Sequence, residues 1–387
     1  MSKAKAPKGT FRTEIPFELH EGLIVIKVKL NNSDKEFEFM VDSGAPVSVV
    51  FKEAFEESKA ETVMTYGVSD SQGNAVQSEY VMLDMGIGGS VFKDIFTVYS
   101  AEPNEFIRCI ASDGIVGADL MQTANWQIDF VNKKIIISDL KKSSLPDLKD
   151  YQEVSFTKRS PFGAMPWLNV LPGMTVDLTV KGTRFKDVYI DLGSSGALTL
   201  PKNDVTETLF KNDVKEVLNG YSTFGLLGAE IDTTFYYYPS EVYIDKMKLN
   251  EHSIDVSNHN QSLIGTKIFS GYTMFIDFRK NRLYLKPVST VEKISSDEKT
   301  FGFTMLYDTK SRTTFVANFY EGAPAALEGL QLSDTVIEVN QQKIPEFNDF
   351  CEFRKWSKGL QSQDKIIVKL KRDDQVIHIE KGIIPKR

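Results

Sequence analysis

Val41-Asp42-Ser43-Gly44-Ala45 and Ile190-Asp191-Leu192-Gly193-Ser194 stand 149 residues apart, and each is an apolar run ending in Asp-x-Gly-small. Each has later partners in the same order. Ile115-Val116-Gly117 is matched 148 residues on by Leu263-Ile264-Gly265, and Ile128-Asp129-Phe130 by Ile276-Asp277-Phe278 at the same offset. A single Asp after a strand is an ordinary turn signal. Three landmarks repeated in order and register mean that one unit was duplicated. Two copies carrying one Asp each bring two carboxylates together on a pseudo-two-fold axis.

The surrounding pattern repeats as well. Leu23 to Leu30 reads as a strand, residues 31–34 as a turn, and residues 37–41 as the returning strand that ends at Asp42. In the second copy residues 174–180, 181–183 and 185–190 do the same and end at Asp191. Gly44 and Gly193 are expected to supply backbone angles that a side chain would resist. Short helices are expected at Lys52–Ser58 and residues 119–124. Asp129 and Asp277 precede Asn132 and Asn281 and read as hairpin-turn residues outside the chemistry.

Polar stretches at residues 139–150 and 289–299 divide the chain into three units, 11–140, 151–288 and 300–387, all β-rich. In the third, strands are expected near 300–303, 315–317, 365–371 and 376–381, with a helix over 346–358. The 387 residues are 41% hydrophobic and 26% charged, ordinary for a globular protein. A net charge of −7 with scattered Lys and Arg argues against nucleic acid or an anionic membrane as partner. No stretch has the length and apolarity of a membrane-spanning helix. Basic residues near Met1 are followed by no apolar run, so the chain as read is cytoplasmic, or periplasmic or secreted if a leader precedes Met1 naturally. Cys109 and Cys351 fall in different units, which excludes a disulfide framework and a cysteine metal site. His20, His252, His259 and His378 lack metal-ligand spacing.

Two adjacent carboxyl groups that share one proton can hydrolyse an amide with no metal or cofactor. The ionised one takes a proton from water while the protonated one donates to the carbonyl oxygen. Like charges about 3 Å apart cannot both persist near neutrality, so the pair titrates as a unit.

Asp42-Ser43-Gly44-Ala45, residues 47–50 and Ile115-Val116-Gly117 together resemble the aspartic proteases of the retropepsin and pepsin class, over roughly residues 11–288. The resemblance implies two acid-protease lobes, Asp42 and Asp191 as the catalytic dyad, and Gly44, Gly193, Gly117 and Gly265 as loop supports. It implies a hairpin flap over the cleft, for which residues 68–76 with Ser71, Gln72, Gly73 and Asn74 are the candidate. The matching aromatic stretch, residues 221–240, reads as subsite lining or core. The family prefers Thr after each Asp, where the hydroxyl ties the two loops together. Ser43 keeps a hydroxyl and Leu192 has none, so half of that clamp is missing unless Ser194 or Ser195 replaces it. Ala45 cannot hydrogen-bond the neighbouring carboxylate, which implies activity reaching mildly acidic to neutral pH.

Thr300-Phe301-Gly302-Phe303 resembles the carboxylate-binding loop of PDZ domains, and residues 322–340 resemble the PDZ type attached to bacterial proteases, with Ser333 where that family has Gly. The implied partners are a peptide or protein substrate and a C-terminal peptide held by Phe301, Gly302 and Phe303, with the chain expected to be a monomer. The competing reading is a peptide-binding scaffold whose protease lobes have lost activity.

Overall fold

The computed structural model describes residues 4–69, 75–141, 145–159, 173–249, 252–288 and 299–386. The protein is mainly β, in three sheets with short helices. Both Asp-bearing segments are buried strands, because Phe39, Met40 and Val41, like Val188 and Ile190, are almost wholly removed from water. A strand apolar on successive positions must be covered on both faces.

The first-half sheet runs in the order Leu23–Leu30, Glu36–Val41, Gly114–Val116, Val49–Phe51, Ser90–Ser100, Ala75–Ile87, Thr62–Ser69, with Glu18–His20 outside it. The second runs Gly173–Val180, Thr183–Ile190, Leu263–Ile264, Leu198–Pro201, Ile254–Ser257, Ala229–Tyr237, Lys215–Phe224. The directions agree too. Val41 pairs parallel with Val116 as Ile190 does with Ile264, and Val49 pairs parallel with Val98 as Thr199 does with Asp255. The duplication is thus a duplication of topology.

Between the halves lies an antiparallel six-stranded sheet ordered Arg12–Pro16, Lys134–Ser138, Asn125–Asp129, Tyr272–Asp277, Arg282–Pro287, Gln152–Ser155. At its centre Trp126 faces Ile276 and Ile128 faces Met274. That register is its own image when each residue is exchanged for its counterpart 148 positions away, which places the pseudo-two-fold axis there. Trp126, Ile128, Met274 and Ile276 are all fully buried and belong to one core shared by both halves.

The third unit continues the second sheet. Leu218, Asn219 and Gly220 pair antiparallel with Tyr320, Phe319 and Asn318, so Thr313–Tyr320 covers the outer edge of the second-half hairpin. Its helix is Phe350–Gln361, starting four residues later than expected, because the Asp349 carboxylate caps it by accepting from the Glu352 N–H at 2.9 Å. The helix at residues 119–124 is also corrected, to Ala118–Met121. The 139–150 linker is tied down in part, with the Phe11 N–H donating to the Asp139 carboxylate at 3.0 Å. Most of the 289–299 boundary lies outside the described residues.

The cysteines do lie in different units, but they are joined. Cys109 and Cys351 form a disulfide across 242 residues, with Cα atoms 5.3 Å apart. Sequence distance concealed a contact between helices Glu105–Ile110 and Phe350–Gln361, where Arg354 and Lys358 also pair with Glu21. Reduction, or Cys351→Ser, is expected to lower the unfolding free energy by about 2–4 kcal/mol, measured by calorimetry with and without reductant. Peptide mapping that finds two free thiols in the native protein would contradict the pairing.

Candidate active site

Each Asp stands where its strand leaves the sheet. The Asp42 N–H still donates to the Val116 carbonyl at 3.0 Å and the Asp191 N–H to Ile264 at 2.9 Å. Beyond the turn, the Ala118 N–H closes on the Ala45 carbonyl and the Thr266 N–H on Ser194, both at 2.8 Å. Gly117 and Gly265 lie behind these loops. A Cβ on Gly117 would come within 2.6 Å of the Val47 carbonyl carbon, and one on Gly265 within 2.7 Å of the Ser194 oxygen. The sequence landmarks therefore mark the places where two backbone segments touch.

The two loops meet face to face. A Cβ on Gly44 would stand 2.6 Å from an Asp191 carboxylate oxygen, and one on Gly193 would fall closer still to the Asp42 carboxylate. This corrects the expected role of these glycines. Neither has the left-handed φ that requires glycine; each is needed because the opposite carboxylate occupies the space of its side chain. Asp42 and Asp191 are thereby brought into side-chain hydrogen-bond contact.

The pair is asymmetric. Asp42 accepts from the Gly44 N–H at 2.7 Å and the Ala45 N–H at 2.9 Å, and also from the Gly193 N–H across the axis. Asp191 accepts from Gly193 at 2.8 Å and from Ser194. Burial pushes the Asp42 carboxyl up, opposed by those N–H donors. Burial followed by the Asp42 charge pushes Asp191 well above the usual carboxylate range. The two groups thus share one proton and titrate as a pair.

Ser43 spans the axis. Its buried hydroxyl donates to the Ile190 carbonyl at 2.7 Å and accepts from the Leu192 N–H at 3.1 Å. Leu192 makes no reciprocal bond, and its fully buried side chain packs in the shared core. Among the described contacts, neither the Ser194 nor the Ser195 hydroxyl replaces it.

Sequence reading overlooked Ser48 and Asp119. The Gly117 N–H donates to the Ser48 hydroxyl at 3.0 Å, and that hydroxyl donates to Asp119 at 2.8 Å, bracing the first Asp loop from behind. Burial holds Asp119 up at about 7, opposed by Ser48. The signal was an acidic residue two positions after an apolar-apolar-Gly element. Asp129 accepts from the Val131 and Asn132 N–H groups at 3.1 and 3.0 Å, and so is the expected turn residue.

The flap candidates Ser71, Gln72, Gly73 and Asn74 lie outside the described residues. Strands Thr62–Ser69 and Ala75–Ile87 lead into and out of that segment. The second hairpin crosses to the other half, where the Asn104 N–H donates to the Leu226 carbonyl at 2.8 Å and Phe106 stacks on Phe224 at 4.6 Å. In the third unit, Phe301 and Phe303 are core residues. Gly302 has φ 74°, and its N–H is satisfied by the Thr300 hydroxyl at 3.1 Å. Among described strands, Phe303–Asp308 pairs only with Thr313–Tyr320, which leaves its other edge open toward helix Phe350–Gln361. Helix Glu105–Ile110 blocks the far end of that edge, where the Thr309 hydroxyl donates to Glu105 at 2.8 Å.

Neither the family models nor the curated proteins with which the chain was compared include a match.

Ser43→Ala is expected to lower unfolding free energy by about 1–3 kcal/mol, because it leaves a buried carbonyl and N–H unpaired. An unchanged denaturation midpoint would contradict the bridging role. Asp119 carries a proton in the folded protein up to about pH 7 that the unfolded chain releases near pH 4. The group therefore lowers stability as pH rises through that window. Asp119→Asn should raise the melting temperature at pH 8 and change it little at pH 4, as followed by calorimetry.

Proposed function

We propose that this protein is an aspartic endopeptidase, with two lobes of the retropepsin and pepsin type and a C-terminal PDZ-like domain. The observation that carries this reading is the contact of the Asp42 and Asp191 carboxyls across the pseudo-two-fold axis, each seated against the opposite glycine. Asp42, whose charged form has more N–H donors, is the base, and Asp191 is the acid.

A water between them loses a proton to Asp42 as its oxygen bonds to the scissile carbonyl carbon. Asp191 passes its proton to the carbonyl oxygen. In the resulting gem-diol the amide nitrogen takes the proton from Asp42 while one hydroxyl gives its proton back to Asp191, the C–N bond breaks, and acid and amine products leave with the dyad restored. An extended substrate lies between the first hairpin and the loops, with the second hairpin as a fixed roof. The PDZ-like domain holds that roof by extending its sheet, and the open edge at Phe303–Asp308 accepts a chain end as an added strand. The disulfide favours an oxidising compartment.

The second reading, a scaffold without activity, is favoured by one observation, the loss of the hydroxyl at Leu192. Incubation with a denatured protein separates the two readings. Wild type should cleave, and Asp42→Asn and Asp191→Asn should each abolish cleavage by at least ~10³-fold, in line with the loss of a general acid or base. Cleavage that survives both variants overturns the reading, and peptide binding without cleavage in wild type favours the scaffold.

The pH profile follows from the raised pair. Activity falls at low pH, when Asp42 gains a proton, and at high pH, when the shared proton is lost. Raised pKa values shift both limbs upward, so the optimum lies in mildly acidic to neutral solution. A profile of kcat/KM confined to strongly acidic pH would contradict it.

A further inference from the structure

The two halves match in topology but not in what lines the cleft. In the first half Val49, Val98, Tyr80 and Ile115 form an apolar cluster against which Ala45 and Val47 of the Asp42 loop pack. Leu226 of the opposite hairpin packs on the same cluster, so it faces the space between the halves. Strand register gives the counterparts. Val49 pairs with Val98 and Ile115, as Thr199 pairs with Asp255 and Leu263. Tyr80 pairs with Val98 as Tyr236 pairs with Asp255. Asp255 thus takes the place of Val98, and Thr199 that of Val49.

The loop above differs in the same sense. Gly196 follows Asp191 by five residues, as Val47 follows Asp42. A Cβ there would meet only the Ser194 Oγ at 3.7 Å and the Asp255 Oδ1 at 4.0 Å. A side chain would fit there in ordinary contact, and the absence of one leaves the Asp255 carboxylate uncovered by this loop residue. Thr199 donates a hydrogen bond to Asp255 from the neighbouring strand. Tyr236 and Tyr320, hydrogen-bonded to each other, stand beside it. Lys267 favours the charged form of Asp255 electrostatically, and among the described residues Asp255 forms no ion pair.

We infer that Asp255 is a specificity-determining residue at the floor of a second-half subsite that takes a basic substrate side chain, Lys or Arg. An aliphatic side chain suits the matching first-half subsite. A long cationic side chain passing Gly196 supplies the charge partner that Asp255 lacks, whereas an aliphatic one leaves a partly buried carboxylate unpaired. Burial pushes Asp255 up to about 6, so it is ionised at neutral pH and ready to attract a cation.

The cleavage arm of the test rests on the proteolytic reading, so a binding arm accompanies it. Peptides differing only by Lys or norleucine at each position in turn are compared by kcat/KM with wild type, and by fluorescence-detected Kd with Asp42→Asn. At one position Lys should be favoured by about tenfold or more in both arms, as expected for a charge placed against a carboxylate. Asp255→Val should reverse that preference. Gly196→Val, which covers the carboxylate while leaving its charge in place, should abolish it. Absence of any Lys preference in the binding arm, or its persistence in both variants, overturns the subsite. A Lys preference in binding, without cleavage by wild type, supports the subsite and overturns the proteolytic reading alone.

Discussion

The hydroxyl of Ser43 ties the first Asp loop to the backbone on both sides of Asp191. It occupies the Ile190 carbonyl and the Leu192 N–H together, at 2.7 and 3.1 Å, and is itself buried. With these two groups paired, Asp191 is fixed opposite Asp42, and each glycine is seated against the opposite carboxylate. The elevated affinity of the pair for a proton then follows from enclosure and like charge. In the second loop the same position went to packing. Leu192 fills core volume where a second hydroxyl would have closed the clamp, and the six-stranded sheet with Trp126, Ile128, Met274 and Ile276 holds the halves together instead.

Much of this was legible in the chain because the repeat is covalent. The offsets of 148–149 residues located Asp42, Asp191, Gly117 and Gly265, and the strand pairings repeat at the same offsets. Strand Leu23–Leu30 was readable from its apolar run. The physical role of Gly44 and Gly193 was not, since a glycine required by a neighbouring carboxylate looks the same in sequence as one required by a backbone angle. Ser48 and Asp119 escaped notice because their bond spans 71 residues and is not repeated among the described residues of the second half.

The least legible features are those that break the symmetry. Nothing in the local sequence pairs Cys109 with Cys351, or lays Thr313–Tyr320 along Lys215–Phe224. Together these make a closed mechanical ring: the second hairpin rests on helix Glu105–Ile110, the third domain backs the hairpin, and the disulfide returns to the same helix. One side of the cleft is therefore fixed. The substitution of Asp255 for Val98 is a further asymmetry, visible only after strand register has aligned the halves.

The central claim is that Asp42 and Asp191 act as one unit sharing one proton. It is tested most directly by a carbon-13 NMR titration of the Asp carboxyl groups in wild type and in Asp191→Asn. The account predicts that one carboxyl of the pair stays protonated well above the ordinary carboxylate range, and that this high titration is lost in Asp191→Asn, where no second ionisation has to occur beside a like charge. Two carboxyls that titrate independently in the ordinary range, with Asp42 unmoved in the variant, would contradict it.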